Sequence, residues 1–113
     1  MSATPAPDGE FWEAAAALLV RPGVSRSTMM GYPCLRLHGD FFASFDPHHD
    51  ALVVKLDRST VADLIIAGMG EPFAPNGRQF REWISIPARS SHVWPDHLDT
   101  AFDRAVERAA RPL

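Results

Sequence analysis

Only one cysteine, Cys34, occurs among the 113 residues. An intramolecular disulfide is thereby excluded, and with it the stapled frameworks of small secreted domains. Long apolar runs are also missing. The longest, AAAALLV at residues 14–20, falls well short of the roughly 20 residues a membrane-crossing helix needs, and it follows acidic rather than basic residues. No membrane span or signal peptide is expected, and the expected location is cytoplasmic. An excess of positive charge is lacking as well: 11 Lys and Arg stand against 14 Asp and Glu, a net charge of −3. That balance speaks against a surface positive all over for non-specific nucleic-acid binding. Catalytic signatures are scarce. There is no Walker loop, no pair of zinc knuckles and no Gly-x-Ser-x-Gly elbow. Gly68-Met69-Gly70 closes a helical stretch, whereas a dinucleotide fingerprint follows a strand and opens a helix. No cofactor is expected.

What is present suits a single domain spanning residues 1–113, with 46% hydrophobic and 22% charged residues and a loose tail at residues 1–7. From Asp8, a candidate N-cap, GEFWEAAAALLV carries acids early and strong helix formers after them, and it stops before Arg21-Pro22-Gly23. VSRSTMMGYP reads as a connection rich in Ser and Thr. Three strand-like segments follow: CLRLH, FFASF and ALVVKL. In the first, Leu35 and Leu37 alternate with Cys34, Arg36 and His38. Gly39-Asp40 is expected to turn this strand into a hairpin with the second. DPHHD, residues 46–50, separates the second and third; Asp then Pro is a type I turn signature.

After Asp57, RSTVADLIIAG reads as a second helix, with Val61, Leu64, Ile65 and Gly68 on one face and Gly68 and Gly70 at its end. EPFAPNGR is a loop and QFREWISIP a fourth strand. A last helix opens at Pro95 and repeats Leu98, Ala101, Phe102, Ala105, Val106 and Ala109 at helical spacing. The string predicts a two-layer α+β domain, an antiparallel sheet with its helices on one face.

The segments MMGYPCLRLHGDFFASFDP, ALVVKL and GEPFAPNGRQFREWISIP resemble the small bacterial proteins grouped as TfoX N-terminal-like and MmcQ/YjbR-like, over roughly residues 28–87. The resemblance is most specific in the Gly-Pro loop that leads into Arg81-Glu82-Trp83. It implies a two-layer fold like that of secretion chaperones and no catalytic residues, and it brings the labels "DNA-binding" and "competence regulator". A second, C-terminal domain usual in TfoX proteins is not among these residues, so a competence-regulator role is not expected.

Candidate chemistry is sparse. Asp46, His48, His49 and Asp50 are metal-ligand types, but adjacent histidines in an extended segment diverge, and a solvated turn accounts for them; no metal site is expected. Cys34 and His38 lie about 13 Å apart along a strand, too far for a thiolate–imidazolium pair, which leaves Arg36 as the only neighbour able to activate the thiol. Phe11, Trp12, Phe41, Phe45, Phe80 and Phe102 are read as core. If Leu35, Leu37, Leu52, Val54, Leu56, Ile84 and Ile86 face the helices, strict alternation turns Arg36, His38, Lys55, Arg81, Trp83 and Ser85 the other way. The functional reading of that surface is a binding face for an unknown anionic ligand, a nucleic acid or a protein. The plainer reading is a polar face with Trp83 covered by a loop or by a second copy of the chain in a homodimer. The leading expectation is a non-enzymatic binding or adaptor domain. A weak or sequence-tolerant DNA-binding protein is the alternative, favoured by the acid-free Arg21–Gly39 stretch. A small enzyme using Cys34 or the histidines has the least support.

Overall fold

The computed structural model describes residues 8–29 and 31–111; the expected tail at residues 1–7 lies outside them. Helix α1 spans Gly9–Leu19, and strands β1 (Val24–Met29), β2 (Tyr32–Leu37), β3 (Asp40–Asp46) and β4 (Ala51–Lys55) follow as successive antiparallel hairpins. Helix α2 (Arg58–Ile66), the two-residue strand β5 (Glu71–Pro72), β6 (Trp83–Pro87) and helix α3 (Trp94–Ala110) complete the chain. The six strands are ordered β1-β2-β3-β4-β6-β5, antiparallel throughout.

The alternation predicted for the core is the one observed. Leu35, Leu37, Leu52, Val54, Leu56, Ile84 and Ile86 are all buried in one cluster. Phe11, Ala15 and Leu18 of α1, Val61 of α2, and Trp94, Leu98, Ala101, Phe102 and Ala105 of α3 close over them. All three helices therefore serve one face of the sheet, the predicted two-layer α+β arrangement. Trp94 is fully buried, and its indole N–H donates to the Ile86 carbonyl at 3.1 Å, so its one polar atom is satisfied. Val106 and Ala109, counted into the α3 stripe from spacing, are exposed near the end of the helix.

Local chemistry explains the boundaries. Asp8 occupies the N-cap position of α1 without capping through its side chain; the carboxylate instead accepts from the Trp12 indole N–H at 2.7 Å. Helix α2 ends in a Schellman motif: the Gly68 N–H donates to the Ile65 carbonyl and the Met69 N–H to the Leu64 carbonyl, with Gly68 at φ +74°. Gly70 has a different task. A Cβ there would lie 2.6 Å from Ile84 Cδ1 and 2.9 Å from Ile86 Cδ1, so a side chain at this crossing would force the two isoleucines to shift.

Three expectations are corrected. VSRSTMMGYP is not a connection: residues 24–29 form the edge strand β1, whose mixed polar sequence lacks the one-sided alternation that identifies a half-buried strand. The hairpin after β2 turns at His38-Gly39 rather than Gly39-Asp40, with both residues at positive φ (51° and 87°), as a two-residue type I′ turn demands. The fourth predicted strand starts at Trp83, leaving Gln79–Glu82 outside it, and β5 inside the EPFAPNGR loop pairs with its outer edge.

Candidate functional site

The side of the sheet away from the helices is built in two rows. In-register neighbours Cys34, Ser44, Val53 and Ser85 form the first. All four are buried. Cys34 Sγ lies 3.2 Å from the Tyr32 carbonyl and 3.6 Å from Ser44 Oγ, and the Ser44 hydroxyl donates to the Pro33 carbonyl at 3.0 Å. Burial pushes the Cys34 thiol up from its ordinary range, against smaller opposing effects of Ser44, a Met29 backbone hydrogen bond and Arg36. The thiol is kept protonated, the opposite of an activated nucleophile.

The second row carries charge and rings. Arg36 pairs in register with Phe41, and Lys55 with Trp83. A β-bulge opposite Leu35 and Arg36 makes this arrangement: the extra residue, Phe42, turns into the core 6.0 Å from Phe102, while Phe41 turns outward. The Arg36 guanidinium lies 4.1 Å from the Phe41 ring centroid, a cation–π stack, and its Nε is buried with no hydrogen-bond partner among the described residues. Phe41 therefore belongs to this face, which corrects its assignment to the core. Lys55 Nζ sits 3.8 Å from a Glu82 carboxylate oxygen and Trp83 is half-buried.

Arg36, Lys55 and Trp83 thus share the surface the sequence predicted. His38 does not. Its place in the turn, with its backbone N–H donating to the Gly23 carbonyl, puts it at the end of the β2–β3 hairpin, where its ring packs over Gly23. Arg81 is not on the strand either; it lies in the turn before β6 and reaches the face from its rim.

At that rim is an open cavity of about 420 Å³ lined by Arg58, Phe80, Arg81, Glu82 and Trp83. A smaller one, about 130 Å³, shares Arg58 and Arg81 and adds Val61, Ala62, Ile65 and Gln79, so a groove runs between α2 and the turn. Phe80 is exposed and 5.9 Å from Phe73 rather than in the core, a second correction among the aromatics. The other arginines near these elements are engaged: Arg104 with Asp57 and Glu107, Arg108 with Asp40, Arg89 with Glu71, and Arg78 5.8 Å from the Phe80 ring centroid. Among the described residues, Arg58 and Arg81 have no carboxylate within 4.0 Å and no ring beneath them. Sequence reasoning missed Arg58 and Phe80, because only the packing of α2 beside the turn brings them together.

DPHHD is a turn organised by Asp46. One carboxylate oxygen accepts from the His48 backbone N–H at 3.0 Å, and the other lies 2.7 Å from His49 Nδ1. No protein-family model, curated protein or solved structure matches the chain.

Proposed function

We propose that the chain is a non-enzymatic binding or adaptor domain of the TfoX/YjbR-like type that presents the outward face of its sheet to an anionic partner. The observation that carries this reading is the register that sets Arg36 beside Phe41 and Lys55 beside Trp83 on one surface. Cations held over or beside rings attract anions while keeping an apolar contact area, a combination suited to recognition rather than to bond breaking. Arg81 at the rim extends the positive surface toward α2.

The test uses a polyanion as probe. Arg36→Ala and Lys55→Ala should each weaken binding of polyglutamate several-fold at low salt; because both side chains are half-buried and Arg36 is stacked on Phe41, each should also cost about 1 kcal/mol of stability, and the fold of each variant is checked by circular dichroism. Equal binding by wild type and both variants would overturn the reading. Single-stranded nucleic acid is a second reading, favoured by the alternation of cations and rings, which suits base stacking beside phosphate contacts. A net charge of −3 opposes tight, non-specific association with it. Affinity tighter than micromolar at physiological salt, with a steep fall of log affinity against log salt, would favour this second reading.

A further inference from the structure

The groove between α2 and the turn before β6 has a composition different from the sheet face it adjoins. Its two arginines come from segments far apart in sequence and converge on one cavity, with no carboxylate within 4.0 Å of either among the described residues. Both arginines are exposed and border the same depression, so a group that carries more than one negative charge and several acceptor oxygens could engage both. A phosphate monoester is such a group. Glu82, the one acid in the lining, is already turned to Lys55 at 3.8 Å, which reduces its repulsion of an incoming anion. The remaining lining is aromatic: Phe80 is 41% exposed and Trp83 half-buried, so ring surface borders the same space as the guanidinium groups. The depression, about 420 Å³, is wide open to solvent, so a ligand there would be held by its charge and by one ring face rather than enclosed.

We infer that the Arg58–Phe80–Arg81–Trp83 groove binds a mononucleotide, with its phosphate on Arg58 and Arg81 and its base against Phe80 and Trp83. This deepens the binding-face reading and rests on it, because Arg81 and Trp83 border both surfaces. Phosphate contacts give most of the attraction and the rings select for a flat heterocycle, so neither inorganic phosphate nor a nucleoside should match the joined ligand.

The experiment is calorimetric titration of the full chain with AMP, adenosine and inorganic phosphate, with polyglutamate titrated in parallel. AMP should bind saturably with a one-to-one stoichiometry, at least tenfold more tightly than adenosine or phosphate. Arg58→Ala and Arg81→Ala should each weaken AMP at least tenfold, and Arg58→Lys, which keeps the charge but loses the fork, should restore only part of that. Arg36→Ala, remote from the groove, should leave AMP unchanged while weakening polyglutamate. Absence of AMP binding at millimolar concentration, together with polyglutamate binding that depends on Arg36, would overturn the nucleotide site and leave the face reading standing. AMP binding that depends on Arg58, with polyglutamate indifferent to Arg36, would retain the groove and remove the wider face. Phosphate binding as tightly as AMP would overturn the role given to the rings. Circular dichroism of each variant separates lost binding from lost fold.

Discussion

His97 lies on α3 with Nε2 buried and with no hydrogen-bond partner among the described residues. Burial lowers its pKa below the ordinary imidazole value, against a smaller raising effect from Asp96. Below about pH 6.5, the usual value for an unfolded histidine, the unfolded chain takes up a proton that the folded chain resists. Stability is therefore fully kept above that pH and declines as pH falls through the interval down to the folded value. The urea midpoint should drop further between pH 7.5 and pH 5 in the wild type than in His97→Phe. Parallel slopes for the two proteins would show that the imidazole is paired by water in solution. At this scale the sequence was informative where one residue does one local job, as with Gly68, whose left-handed backbone ends α2. It was silent where the job is set by a distant neighbour. Gly70 leaves room for the Ile84 and Ile86 side chains, and Arg58 matters because of Arg81; neither relation has a local signature.

At the scale of elements, the β3–β4 turn separates what its residues offer chemically from what they do. Asp46 binds both a backbone N–H and a ring nitrogen within the turn, whereas His48 and His49 are exposed. Asp46→Ala should cost about 1 kcal/mol through loss of those bonds. The double variant His48→Ala/His49→Ala should change unfolding free energy by no more than about 0.5 kcal/mol, because a surface pair contributes little. Chemical denaturation measures both, and added zinc should not raise the melting temperature of the wild type. A zinc-dependent rise lost in the double variant would make the histidines ligands after all. Helices and inner strands were readable from their apolar patterns, one-sided in α1, α2, α3 and β2 and a continuous run in β4, and they lie close to where those patterns put them. β1 was not, since an edge strand of Ser, Arg and Thr makes its hydrogen bonds through backbone that no periodicity reports. The same limit applies to the site. Alternation placed Arg36, Lys55 and Trp83 correctly, but it failed for His38 and Arg81, which lie just past strand ends where alternation stops applying.

Over the whole molecule, the sheet is assembled from two kinds of connection. Strands β1 to β4 join through short turns, while β6 reaches β4 only after residues 56–82 have been laid down, with α2 and β5 in between. Short closures cost less chain entropy than long ones, so the four-stranded meander should form ahead of the β4–β6 pairing. Stopped-flow kinetics on core variants checks this. Leu35→Ala in β2 should slow folding, with a φ-value of about 0.5 or more, and Ile86→Val in β6 should mainly speed unfolding, with a φ-value below about 0.3. The reverse pattern would mean that β6 docks first. Until it docks, β4 is not an interior strand at all. Its Ala51-Leu52-Val53-Val54 run, buried on both faces in the finished fold, lines an open edge while residues up to Pro87 are still emerging from the ribosome or finding their place. An apolar, β-branched edge of that kind is a template for pairing between chains. The period of greatest aggregation risk is thus built into the strand order: it begins when the meander closes and ends when β6 covers β4.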